Sequence, residues 1–305
     1  MRKYDRRNGE SAVRPVTGLP DSWQRTQREW PVMTRSVCRT RRLRRSLWAS
    51  GAGAAVLLAL SACSSSTGSE EGSDSAGSAE VSGQVTVFAA ASLEESFTTL
   101  GETFEKQHPG TEVTFNFGGS DALAAGITSG APADVFASAS PKTMATVTDA
   151  GATAGEPSTF VRNRLEIATL PGNPEGISAL KDLTASGLKV VLCDEAVPCG
   201  AAARKALEAG GVELTPASYE QDVKAALTKV ELKEADAAVV YRTDVKAAGD
   251  KVTGVDFPEA AEAVNDYPIA VLEDAPNAGA AKAFVELVRS GEGQRVLTDA
   301  GFSTP

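Results

Sequence analysis

The chain has 305 residues and one histidine, His108. A single imidazole rules against a histidine-built metal site. It also rules against a Ser-His-Asp triad, since His108 follows a helical pattern and no G-x-S-x-G elbow accompanies it. Cysteine is scarce too, with Cys38, Cys63, Cys193 and Cys199 making up the whole set. Positive charge is missing where most of the chain lies. The first 62 residues hold 13 Lys/Arg against 4 Asp/Glu, which leaves 17 basic and 36 acidic residues beyond them. A body this acidic does not neutralise phosphates, so nucleic acid is excluded as a partner. Internal repeats are absent, and no apolar run is long enough for a comfortable membrane span.

What is present begins with an address. "RTRRLRRSLWASGAGAAVLLALSAC" joins a basic run, an apolar stretch and small residues ahead of a cysteine, the pattern of a secretory signal. Its end, Leu60-Ser61-Ala62-Cys63, resembles the bacterial lipobox, whose cysteine is lipidated and becomes the mature N-terminus. The expected signal region is 1–62. Residues 1–32 are readable as a mis-chosen start, because Met33 opens a signal of more ordinary length. "RRSLW" faintly resembles a twin-arginine signal, but the general secretory route is preferred. Cys63 and the Ser/Gly/acidic run up to residue 83 are expected to form a lipidated anchor and a flexible linker with a span of roughly 25 Å, the alternatives being a cleaved signal without lipid or a short membrane anchor. The expected location is the extracytoplasmic face of the cell membrane.

From Gln84 onward, short apolar runs alternate with helical patterns. "VTVFAA" reads as a strand. Leu93, Phe97, Leu100 and Phe104 then mark one helix face. "TEVTFNFGGS", "ADVFAS", "RNRLEIATL", "GLKVVLCD", "ADAAVVY" and "YPIAVLE" read as strands. "DALAAGITSG", "AAARKALEAGG", "DVKAALTKVE" and "AGAAKAFVELVRS" read as helices, the last with Phe284, Val285 and Val288 inward. This alternation predicts an α/β protein with mixed, mostly parallel sheets and helices on both faces. About 220 residues exceed one small sheet, so two lobes are expected. Ligands in such sheets collect at strand carboxyl ends, where helix N-termini point. "AAAS", "GGS", "VPCG" and "VVY" are the candidates.

Each candidate has a plainer reading. Ser92 and Glu95 have capping-box spacing, so Ser92 fits a helix cap as well as a ligand donor. Ser120 or Asp121 would cap the following helix after the permissive Gly118-Gly119 pair. Cys193 and Cys199 fit a disulfide in an oxidising compartment, with a metal pair or free thiols as alternatives. Tyr241 fits either core packing or a hydroxyl donor.

Taken in order, "VTVFAAASL", "F-x-x-S-x-x-L", "GAPADVFASAS", "VP-x-G", "DV-x-x-AL" and "VVY-x-x-D" resemble the molybdate-binding proteins of bacterial ABC importers. The resemblance covers about residues 84–305. It implies a two-lobed periplasmic-binding-protein-like fold of type II, closing on one tetrahedral oxyanion in the cleft. Lobe 1 is then 84–163 plus 267–305, and lobe 2 is 164–266. The ligand set it implies is the hydroxyls of Ser92, Ser120 and Tyr241 and the backbone N–H groups of Cys199 and Val223. It implies no cofactor, no catalytic residue and no cationic metal site. The ligand is molybdate or tungstate, the partner is an ABC importer permease, and a monomer is expected. The chain departs from the family at Gly118, Gly119 and Asp121, where members often carry serine. An aspartate at 121 repels an oxyanion unless it points away or caps its helix.

The charge balance is consistent with that implication. An acidic body gives no long-range attraction to an anion, so capture rests on short-range donors. Desolvating an oxyanion costs several kcal/mol or more, and each charge-assisted hydrogen bond returns about 1.5–3 kcal/mol. Six or seven neutral donors suffice, and they select against phosphate, which still carries a proton. A receptor for another oxyanion such as sulfate uses the same donors. A secreted serine hydrolase built on Ser92 or Ser120, and a metal-ion receptor, are the readings from other classes.

Overall fold

The computed structural model describes residues 81–305. The signal region, Cys63 and most of the linker lie outside them. The first strand, β1 (Gly83–Ala90), runs into a single 3-10 turn, Ala91–Leu93, and then into α1 (Glu94–Gln107). Leu93, Phe97, Leu100 and Phe104 are fully buried, so the apolar stripe read from the sequence is the face that packs. Next come β2 (Thr111–Gly118), α2 (Ser120–Thr128), β3 (Val135–Ala137), α3 (Pro141–Asp149) and β4 (Ser158–Asn163). Ser140 caps α3 by accepting from Thr143 N–H, and Pro141 supplies a first-turn residue that needs no N–H partner.

"RNRLEIATL" is not one strand. β4 ends at Asn163 and β5 (Leu165–Thr169) begins two residues later in a different sheet, so Arg164 is the crossing point. The apolar run hides this break because both halves are buried. The second half continues with β6 (Val190–Cys193), α4 (Pro198–Gly210), β7 (Ser218–Glu220), α5 (Val223–Glu231), β8 (Ala237–Tyr241), α6 (Arg242–Ala248) and β9 (Thr253–Val255). Helix α4 ends at Gly211, which takes the left-handed conformation (φ 61°) that favours glycine. The chain returns through β10 (Asn265–Val271) and finishes with α7 (Ala278–Arg289) and α8 (Gly291–Asp299). In α7, Phe284 and Val288 are buried as expected and Leu287 joins them, while Val285 is only partly covered.

The strands form two five-stranded sheets, ordered β2-β1-β3-β10-β4 and β7-β6-β8-β5-β9. Both are mixed. β1 pairs in parallel with β2 and β3, and β6 with β7 and β8; β10 and β5 each run antiparallel to both neighbours. The antiparallel strands are the ones that adjoin the crossings between sheets. The first sheet is covered on one face by α1, α7 and α8 and on the other by α2 and α3, each over its own apolar cluster. The second sheet has one mainly aliphatic cluster of Ala, Val, Leu and Ile, joined by Cys193, Cys199, Tyr241 and Phe257, into which Ala91 from the first half also packs. This is a two-lobed, type II binding-protein architecture. Among the described residues no helix is long and apolar enough to cross a membrane.

Candidate functional site

The carboxyl ends of β1, β2 and β8 converge with the first turns of α2, α4 and α5 on one small cavity. Ala90, Ala91, Ser92, Gly118, Gly119, Ser120, Ala139, Val197, Pro198, Cys199, Asp222, Val223 and Tyr241 line it. Ser92, Ser120, Cys199, Val223 and Tyr241, the five residues singled out from the sequence, are therefore brought together, from both lobes. The cavity measures about 20 Å³ at the centre of a water-sized sphere, so it takes one compact group and nothing extended.

Ser92 is buried in the 3-10 turn and does not cap α1. Neither Ala90, which precedes the turn, nor Leu93, which precedes the helix, makes a side-chain cap bond. The Ser92 hydroxyl instead pairs with the Tyr267 hydroxyl at 2.8 Å. Glu95, the other half of the expected capping box, reaches across the cleft to Lys224. Local spacing suggested a cap, and two long-range partners took both side chains.

Ser120 is the first residue of α2, whose cap position, Gly119, makes no side-chain bond; neither Ser120 nor Asp121 acts as a cap. The Ser120 hydroxyl accepts from Ala139 N–H at 3.0 Å. Its own proton is left free to donate. Asp121 does not line the cavity, so its charge lies beside the site and not in it. Gly119 is needed where it stands. A Cβ there would lie 2.6 Å from the Gln221 carbonyl oxygen and 2.9 Å from Val197 Cγ1, both in the facing lobe. A serine at 119 does not fit this closed cleft.

Cys199 and Val223 stand in the first turns of α4 and α5, where backbone N–H groups have no intrahelical acceptor. Two helix N-termini with positive dipole ends therefore face the cavity. The α4 terminus is held to its strand by the Cys193–Cys199 disulfide, with Cα atoms 5.8 Å apart. Gly200 completes the joint, because any side chain there would collide with the Asp194 backbone. Asp222 caps α5 by accepting from Ala225 N–H at 2.9 Å, which occupies a carboxylate that would otherwise confront an anion.

Tyr241 ends β8 and is almost wholly buried, and its hydroxyl has no hydrogen-bond partner. Burial, and then the neighbouring Tyr267 and Asp244, push its pKa well above the ordinary tyrosine value, so it keeps its proton. A buried phenol with no acceptor forfeits a hydrogen bond, and such groups in native structures mark a missing partner. Asp244, one turn on, accepts from Tyr241 N–H at 3.1 Å. Burial raises the Asp244 pKa to about 6, against the pull of Lys224. Lys224, 3.4 Å from Asp244, is the cation next to the site, and Glu95 and Asp244 engage it from both lobes. Burial lowers its pKa, but the two carboxylates outweigh that and the net shift is upward. No Lys or Arg lines the cavity.

Hydroxyls, helix-terminal N–H groups and no charged donor make a site for a small, compact anion. Among the described residues no cluster of His, Cys, Asp or Glu suits a cation. The residues missed in the sequence are Tyr267 and Asn163 behind Ser92. They are separated from it by 175 and 71 positions, and no local spacing signals a contact of that kind.

Residues 85–303 match the family model of bacterial extracellular solute-binding proteins. The chain is 43% identical over 252 residues to the molybdate-binding protein ModA of Mycobacterium tuberculosis, covering 83% of this chain and 95% of that one. It is also similar to the substrate-binding domain of a putative molybdenum ABC transporter from Clostridium difficile, at 28% identity and a TM-score of 0.56 over 73% of this chain and all of the other. The periplasmic molybdate-binding protein of Azotobacter vinelandii shares the fold, with a TM-score of 0.65 at 20% identity over 72% and 99% of the two chains. The chain belongs to the bacterial extracellular solute-binding protein family.

Proposed function

We propose that this receptor captures molybdate in the cleft between its lobes and hands it to the permease of an ABC importer. Tungstate, with the same charge and shape, is taken by the same donors. The observation that carries the reading is the Tyr241 hydroxyl, buried, protonated and unpartnered in a cavity with two serine hydroxyls and two helix N-termini. In this reading Ser92, Ser120 and Tyr241 donate through hydroxyls, and Cys199 and Val223 through backbone N–H. Lobe 1 comprises 84–163 plus 267–305 and lobe 2 comprises 164–266. The protein is a transport receptor and not an enzyme, works as a monomer without a cofactor, and is held to the extracytoplasmic face of the membrane by a lipid on Cys63. The named molybdate-binding relative supports the choice of oxyanion.

Calorimetric titration of the purified protein with molybdate, tungstate, sulfate and phosphate tests it. Molybdate and tungstate are expected to bind tightly and phosphate far more weakly than sulfate. Tighter binding of sulfate than of molybdate defeats the assignment. The anchor is tested separately: Cys63→Ser releases the protein from the detergent phase without changing oxyanion affinity. Partitioning that ignores the substitution removes the lipid from the account.

A further inference from the structure

A serine hydroxyl gives or takes a hydrogen bond equally well, so a site of serines selects no protonation state unless something fixes their direction. Behind Ser92 there is such a device. The Arg164 backbone N–H donates to Asn163 Oδ1 at 3.0 Å, which sets the amide so that its Nδ2 points the other way. Nδ2 donates to Thr243 Oγ1 at 2.9 Å and lies 3.4 Å from the Tyr267 hydroxyl oxygen. A phenol facing an amide NH2 accepts from it and must send its one proton elsewhere. Two hydroxyls lie near it: Ser92 Oγ, at 2.8 Å, makes the hydrogen bond and accepts the proton, whereas the neighbouring Tyr241 hydroxyl makes no bond of good geometry to it. Ser92 then accepts from behind and keeps its own proton for the cavity. Asn163, Thr243, Tyr267 and Ser92 are all buried.

We infer that Tyr267 is a positioning residue that, set by Asn163, holds the Ser92 hydroxyl as an obligate donor and so bars anions that still carry a proton. Ser120 obeys the same logic through a shorter path, with Ala139 N–H filling its acceptor side. The plainer role of Tyr267 is packing, since its ring lies edge-on to Tyr241 and Phe302 at 6.0 and 5.5 Å between centroids. Tyr267→Phe keeps that ring and removes only the hydroxyl, which separates the two roles. The inference rests on the oxyanion reading of the cleft.

The test compares sulfate with hydrogen phosphate, which have nearly the same size and the same charge at mildly alkaline pH but differ by one proton. Their affinities for the full chain are measured by displacement of molybdate. In Tyr267→Phe, molybdate affinity is expected to fall about tenfold and the sulfate-to-phosphate preference by at least about tenfold, because Ser92 is free to turn and accept. Thermal unfolding without ligand reports whether the ring still packs. Asn163→Asp offers a second route. Its carboxylate accepts a hydrogen bond from the phenol, which keeps its proton; Ser92 must then donate to Tyr267, and the Ser92 lone pairs face the cavity, so the preference falls again. Extra repulsion from the new charge acts on both dianions alike and cancels in the ratio. A parent that binds molybdate while both variants keep the parent's preference overturns the relay and leaves the site standing. A parent that binds no oxyanion overturns the reading beneath it, and the relay with it.

Discussion

The two lobes meet the ligand in different ways. Lobe 1 offers hydroxyls that are already held: Ser120 by Ala139 N–H and Ser92 by Tyr267. Lobe 2 offers two helix N-termini and a tyrosine hydroxyl that nothing holds. Their interiors differ in the same direction. Phe97 of lobe 1 sits within 5.9–6.3 Å of Phe115, Phe160 and Phe284, ring centre to ring centre, whereas the lobe 2 core is mostly Ala, Val, Leu and Ile. On the proposed reading, lobe 1 holds a preformed half-site and lobe 2 is completed by the ligand. An anion bound first to lobe 1 would supply the acceptor that Tyr241 lacks, and closure would then be coupled to binding through that hydroxyl.

The comparison breaks most easily at the contact between lobes. Gly119→Ala puts a methyl group against the Gln221 carbonyl and Val197 of the facing lobe, which obstructs closure; within its own lobe it crowds only the Asp121 carboxylate, a side chain that can turn aside. Affinity for molybdate is expected to fall by about a hundredfold or more, the cost of 2–3 kcal/mol of overpacking, with the unliganded melting temperature nearly unchanged. Calorimetry and thermal unfolding report the two quantities. If affinity survives, the cleft does not close as tightly as the Gly119 contacts require.

A matched pair of variants sharpens it. Ser120→Ala and Tyr241→Phe each remove one hydroxyl, and each is expected to weaken molybdate by about 1.5–3 kcal/mol. Their effects on the unliganded protein should have opposite signs. Loss of the Ser120 hydroxyl strands Ala139 N–H, so stability falls; loss of the Tyr241 hydroxyl removes a buried group that had no partner, so stability holds or rises. Denaturant melts without ligand decide this. Equal destabilisation by both would mean that lobe 2 is as preformed as lobe 1.

The smallest expected change in affinity belongs to Asp244→Asn, whose interest is pH. Asp244 is buried and its pKa is raised from 3.8 to about 6, so the folded protein holds its proton more tightly than the unfolded chain does. Its contribution to stability is therefore greatest below about pH 4 and is lost as pH rises through about 6. The parent should lose stability relative to the asparagine variant across that window, and the difference should level off above it. A difference that is flat between those pH values would mean that Lys224 keeps Asp244 ionised throughout.

Much of this protein was readable along the chain because its chemistry sits at strand ends, where periodicity changes from two to 3.6 over a few residues. That local signal put Ser92, Ser120, Cys199 and Tyr241 among the candidates, and the family resemblance added Val223; all five line one cavity. It left Ser92 open between a cap and a ligand donor and ran β4 and β5 together, because capping-box spacing and apolar runs say nothing about partners beyond a few residues. It also left Gly119 as merely permissive.

By itself the sequence determined the alternation of strands and helices, the acidic body, and the apolar faces of five of the helices among the described residues. These follow from side-chain patterning and backbone stereochemistry, which act over short separations. Tertiary structure alone decided which sheet each strand joined and that Arg164 is a crossing point. It also decided that Glu95 pairs with Lys224 and not with its own helix end, and that the Tyr241 hydroxyl is left without a partner. The direction of the Ser92 proton depends on an amide and a phenol brought together only when both crossings are folded, since a hydrogen bond is set by position in space and not by distance along the chain.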